Sequence, residues 1–175
     1  MRKRKYLMII YIILLLIGNV FAGELARIVR VSDGDTFIVR NEKNQKVKLR
    51  LIWIDTPEKF SSKKLKKDAR RCGVSKKRMI RLGKMATSYA KRYFKNSKNV
   101  EIDFYGKGYY GRSLAVVYRK GAEQPYNFDI IADGYACIYK KARYPEVLDD
   151  LLEKAKRERK GLWGIDYQVM QCLCE

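Results

Sequence analysis

Ser32-Asp33-Gly34-Asp35-Thr36-Phe37-Ile38-Val39-Arg40 is followed by the polar turn Asn41-Glu42-Lys43-Asn44-Gln45. Then comes Lys46-Val47-Lys48-Leu49-Arg50-Leu51-Ile52-Trp53-Ile54-Asp55-Thr56-Pro57-Glu58. Thr36 to Arg40 is β-branched and aromatic, the composition of a strand. Lys46 to Ile54 alternates Val47, Leu49 and Leu51 with polar residues, then becomes continuously apolar, which predicts a strand entering a core. Upstream, Glu24 to Ser32 places Leu25, Ile28 and Val31 in an imperfect strand pattern, so the three segments form a β-meander. Downstream, Lys59 to Leu82 is basic with the single acid Asp68, and its beginning reads as a loop. Met79, Ile80, Leu82, Met85, Tyr89 and Tyr93 recur at helical spacing and predict a helix from about Lys77 to Phe94. Two further strands, Val100 to Tyr105 and Ser113 to Tyr118, flank a glycine-rich turn. Phe128 to Ala132 suits a short helix stopped at Gly134, and Pro145 to Lys160 a longer one terminated at Gly161. The class is α+β. Five strands with a helix inserted after the third predict a small closed β-barrel of the oligonucleotide-binding type (OB-fold), with three helices.

The chain has 175 residues, with 39 Lys+Arg against 19 Asp+Glu and a net charge of +20. Such an excess favours a polyanion through counterion release, with an anionic membrane surface as the competing partner. Histidine is absent from the sequence, which removes the commonest general base and a common zinc ligand. Acid–base chemistry then falls to carboxylate, Lys, Tyr or Cys, and clustered Asp and Glu point to a hard cation, Ca²⁺ or Mg²⁺. Arg2 to Lys5 form a positive region, Leu7 to Ile17 is apolar, and Val20-Phe21-Ala22 offers small residues to a signal peptidase. Residues 1–22 are therefore read as a signal peptide cleaved after Ala22, and 23–175 as one exported domain, periplasmic or secreted. The rival reading is an uncleaved anchor that tethers the domain to a membrane; the apolar run is short for a span, and Gly18-Asn19 interrupts it. Cys72, Cys137, Cys172 and Cys174 permit two disulfides in three connectivities. Cys172 and Cys174 are too close to pair with each other without strain, so one of them is expected to reach Cys72 or Cys137.

Asp33-Gly34-Asp35-Thr36 alone is a common turn sequence, and Asp55-Thr56-Pro57-Glu58 alone a common strand exit. Specificity comes from the set. Both motifs occur together, Arg50 precedes Asp55 by five residues, and Tyr110-Gly111-Arg112 supplies a second arginine. Acids for a cation, guanidinium forks for phosphate oxygens and a basic surface together point to metal-assisted cleavage of nucleic acid.

With Ser32 to Thr36, Leu49 to Glu58, Gly83-Lys84-Met85-Ala86, Tyr110 to Ala115 and Asp133-Gly134-Tyr135-Ala136 in this order, the chain resembles the staphylococcal nuclease (thermonuclease) family from about Ala26 to Trp163. The resemblance implies the five-stranded barrel with three helices and a Ca²⁺-dependent endonuclease acting on DNA and RNA, with 3′-phosphate products. It implies Asp35, Asp55 and the Thr56 carbonyl as calcium ligands. Arg50 and Arg112 match the arginines on the scissile phosphate, Glu58 the proposed general base, and Tyr110 a residue near the nucleotide. A monomer without a stable protein partner is expected. The stretch between Glu58 and Gly83 is longer and more basic than the family pattern, and Lys63 and Lys64 within it are read as substrate-binding residues that grip flanking phosphates. The competing readings are a non-catalytic nucleic-acid-binding barrel at the cell surface and a basic membrane-surface protein. Intact Glu58 and Arg112 argue against the first, because binding alone does not require them.

Overall fold

The computed structural model describes residues 23–175, so the signal peptide expected over residues 1–22 lies outside the described residues. The barrel is built from β1 (Glu24–Val31), β2 (Thr36–Asn41), β3 (Lys46–Leu51), β5 (Asn99–Lys107) and β6 (Ser113–Arg119). Its strand order is β1-β2-β3-β6-β5, and it closes through antiparallel β1–β5 pairing. The β3–β6 pair is parallel, with Leu49 opposite Ser113 and Arg50 opposite Leu114. Phe37, Val39, Leu49, Leu51, Val100, Ile102, Ala115 and Val117 are buried and belong to the core cluster. Ile28 joins them, and its strand carries a bulge between Ile28 and Arg30.

The continuous apolar run predicted as the end of the third strand is broken in the structure. β3 stops at Leu51, Trp53 turns the chain with φ of 67°, and Ile54–Asp55 forms a separate short strand, β4. The carbonyls freed at the break are satisfied elsewhere: Asn127 Nδ2 donates to Ile52 O (3.0 Å), and Tyr139 N donates to Trp53 O (2.8 Å). β4 then pairs with β7 (Cys137–Ile138), with Asp55 opposite Cys137. Local composition cannot show this, because the residues that end the strand lie more than seventy positions away.

The expected helix after the third strand is α2 (Lys76–Tyr93). Before it, the presumed loop contains α1 (Lys63–Arg71), whose Leu65 and Ala69 are buried. Ser62 caps α1, its Oγ accepting from Leu65 N at 3.0 Å, and Ser75 caps α2 in the same way from Arg78 N at 3.2 Å. α3 (Tyr126–Ala132) stops where expected, with Gly134 N donating to Ile131 O. α4 (Val147–Arg157) covers the interior of the predicted terminal helix. It is followed by α5 (Gly161–Ile165) and α6 (Tyr167–Cys174), which the sequence reading did not place. Aromatic packing joins α2 to the barrel: Phe94 and Tyr126 both pack on Phe37, and Tyr89 stacks on Tyr135 at 4.4 Å. Both cysteines of the tail are used, in Cys72–Cys172 and Cys137–Cys174. Among the described residues no helix is long and apolar enough to cross a membrane.

Candidate active site

The turn after β1 delivers Asp35 into a buried position. Its backbone N–H donates to Asp33 Oδ1 at 3.3 Å, an Asx-type contact that closes the turn. Tyr126 OH, itself buried on α3, donates to Gly34 O at 2.9 Å and fixes the turn from outside. Gly34 is required by proximity: a Cβ there would meet Thr56 Cγ2 at 2.6 Å. That closeness lets Thr56 donate twice to Asp35 Oδ2, from its backbone N (3.0 Å) and from Oγ1 (3.2 Å). Thr36 Oγ1 donates to the other oxygen, Oδ1, at 3.1 Å.

Arg50 of β3 joins the two motifs. Its Nη1 contacts Asp35 Oδ2, and its Nη2 donates to Asp55 Oδ1 and to Ile54 O, both at 3.2 Å. Burial alone works against ionising Asp35, but the Arg50 guanidinium and the surrounding donors outweigh it and lower its pKa to about 2. Asp33 moves the other way, to about 7, through burial and the neighbouring Asp35 charge. Asp55 is raised, chiefly by burial, against the pull of Lys64 and Arg50.

Glu58 is half-buried and held by the start of α1. Ser62 Oγ donates to Glu58 Oε2 at 3.3 Å, and Lys64 Nζ lies 3.3 Å from Oε1. The same ammonium sits 3.0 Å from Asp55 Oδ2 and 4.0 Å from Asp68 Oδ2. Burial would lower the Lys64 pKa, but Asp55 and Glu58 raise it overall, so Lys64 stays charged. The structure therefore places Lys64 among the carboxylates of Asp55, Glu58 and Asp68. Lys63 is exposed one position away on α1 and makes no recorded contact with these carboxylates.

Arg112 immediately precedes β6, and the parallel register brings its segment alongside β3. Its Nε is buried without a hydrogen-bond partner among the described residues. A buried guanidinium nitrogen in this state is costly unless an anion completes it. Tyr110 sits in the left-handed region (φ 68°) with its residue surface 85% exposed.

The donor set suits a hard divalent cation: two carboxylates, Asp35 and Asp55, and a backbone carbonyl at Thr56. Among the described residues no cluster of three or more acidic, cysteine or histidine side chains encloses a metal. An ion bound here would be completed by water or by phosphate oxygens, as in sites that present substrate to an ion rather than cage it. Sequence reasoning missed three supporting groups. Ser62 carried a signal, as a helix cap ahead of Leu65. Tyr126 and Asn127 carried none, because their partners at Gly34 and Ile52 are distant in sequence.

A profile of the family described as staphylococcal nuclease homologue matches residues 48–164. An uncharacterized endonuclease of Haemophilus influenzae is 32% identical over 138 residues, covering 79% of this chain and 65% of that protein. An uncharacterized endonuclease of Escherichia coli is 30% identical over 138 residues, covering 79% of this chain and 76% of that protein. A thermonuclease of Staphylococcus hyicus is 29% identical over 142 residues, covering 79% of this chain and 75% of that protein. By the span of the family match and by its barrel, the chain belongs to the family of staphylococcal nuclease homologues.

Proposed function

We propose that this protein is an exported, Ca²⁺-dependent endonuclease that hydrolyses phosphodiester bonds of DNA and RNA. The observation that carries the reading is the single Arg50 guanidinium spanning Asp35 and Asp55, beside a Glu58 oriented by Ser62 and Lys64. The endonuclease names of the relatives and the charge of +20 support it. The two disulfides support an oxidising location, in keeping with a leader cleaved after Ala22.

Asp35, Asp55 and the Thr56 carbonyl would hold the ion. When bound, Ca²⁺ supplies charge neutralisation at a phosphate oxygen. Arg50 leaves its carboxylate partners to grip the phosphate, and Arg112 brings its orphaned Nε to another oxygen. Both contacts strengthen as negative charge builds on phosphorus. Glu58 accepts a proton from the attacking water as the new O–P bond forms in line with the departing 5′-oxygen. The P–O5′ bond breaks, Arg112 stabilises the departing oxygen, which takes a proton from solvent to become the 5′-hydroxyl, and the 3′-phosphate remains on the upstream product.

The test is degradation of single-stranded and duplex DNA, and of RNA, with Ca²⁺ and with a chelator, beside Glu58→Gln. Calcium-dependent cleavage falling by about 10²–10⁴-fold in the variant is expected. Tight binding without cleavage under any divalent metal would sink the reading and favour a binding barrel.

A further inference from the structure

The cleft at Asp55 is small, about 50 Å³. A far larger groove, about 750 Å³, runs along α2 and is lined by Lys77, Arg81, Lys84, Ser88 and Arg92, with Tyr135 contributing to its lining. The first five recur every three or four residues, so they share one helix face. From Lys77 to Arg92 that face extends about 22 Å at 1.5 Å per residue. Arg78, on the same helix, is bound by Asp166 through Nε (2.5 Å) and Nη2 (2.8 Å). Lys77, Arg81, Lys84 and Arg92 are all exposed and have no ion-pair partner among the described residues.

Like charges at i,i+3 and i,i+4 repel and weaken a helix. The stripe therefore does not serve the stability of α2. It has the form of a track for a regularly spaced polyanion. The groove is concave, and its apolar lining residues on α2, Ile80 and Met85, are only half-exposed, so no large apolar side chain stands out from this face to insert into a bilayer. Ser88 and Tyr135 add hydroxyls suited to phosphate or sugar oxygens. At about 3.4 Å per phosphate of one strand, 22 Å accommodates roughly six nucleotides.

The groove is also separate from the catalytic groups. Gly83 faces the backbone of Glu58 so closely that a Cβ would meet its carbonyl carbon at 2.4 Å. Lys84, Ser88 and Arg92 project from other sides of the helix, at 100° per residue, so the groove lies about one helix diameter (10–12 Å) from Glu58. We propose that this α2 groove is an exosite for the backbone of long nucleic-acid strands, so that the protein discriminates substrates by length. The inference rests on the nuclease reading above and adds a second contact surface to it.

The experiment uses the full chain and a variant carrying Lys77→Gln, Arg81→Gln, Lys84→Gln and Arg92→Gln, since Gln keeps helix propensity close to that of Lys and Arg. Binding to single strands of about 40 and about three nucleotides is measured across a salt series, with cleavage kinetics on both. The salt slope for the long strand should fall by about three units, at about 0.7 per lost phosphate contact. Its KM should rise at least tenfold while kcat/KM on the short strand stays unchanged. An unchanged slope and KM for the long strand would overturn the proposal. So would equal losses on both lengths, or loss of binding to phosphatidylserine vesicles with nucleic-acid binding intact. If the wild-type chain cleaves neither strand, the nuclease reading fails, and the binding slopes still decide the groove.

Discussion

Asp33 is a carboxylate whose charge the fold accommodates poorly. Burial and the adjacent Asp35 push its pKa from 3.8 to about 7. Between those values the folded chain binds a proton that the unfolded chain has released. The metal-free protein therefore loses stability as pH rises from about 4 to about 7. Asp33→Asn should abolish that decline, raising the melting temperature of the metal-free protein near pH 7 and leaving it unchanged near pH 4. Equal pH profiles for the two proteins would show that Asp33 is not the source. Asp35, held at about 2, contributes in the opposite sense: its stabilisation is present above about 4 and is lost as pH falls through 2. At this scale the grouping of Asp35 with Arg50 was legible, because the β2–β3 pairing sets Thr36 opposite Arg50, whereas the positions of Asp55 and Glu58 depend also on the β4–β7 pair and on the start of α1. Lys64 was read as gripping flanking phosphates, and a lysine in a basic stretch gives no sign of its carboxylate neighbours. Only the fold of α1 reveals that it faces Asp55 and Glu58.

The element that matters most is α2, which carries the exosite on one side and supports Glu58 on another. A glycine inside a helix costs about 1 kcal/mol relative to alanine, so Gly83 at mid-helix signals a close approach. The structure supplies it: Glu58 C and O lie 2.4 and 2.5 Å from where a Cβ would be. Gly83→Ala should shift the Glu58 backbone. It should lower the cleavage rate at least tenfold and destabilise the fold by about 1–3 kcal/mol by overpacking. Denaturant titration and single-turnover cleavage would check this, and wild-type values in both would refute the contact. Helix periodicity located α2 within a residue or two. It missed α1, because only two apolar positions, Leu65 and Ala69, mark its buried face among nine residues.

In the molecule as a whole, the order of the meander and the closing strands were readable from strand patterns. The parallel β3–β6 pairing and the break at Trp53 were not, since each depends on partners far along the chain. Disulfide connectivity was also open, because four cysteines allow three pairings and spacing does not choose among them. The observed bridges tie α1 and β7 to the same terminal helix, at separations of 100 and 37 residues. Loop-closure entropy puts the larger bridge at about 4.7 kcal/mol and the smaller at about 3.8 kcal/mol, and less than their sum together, because the loops overlap. Full reduction should lower unfolding stability by several kcal/mol, and unchanged denaturant midpoints with all four thiols free would contradict this. Both bridges draw one cysteine from the stretch Cys172–Cys174. During vectorial synthesis, Cys72 and Cys137 emerge about a hundred and about thirty-five residues ahead of their mates, with only each other to oxidise against. A chain released before Cys172 is added can make neither native bridge, so covalent closure of both loops reports that synthesis has passed Cys174.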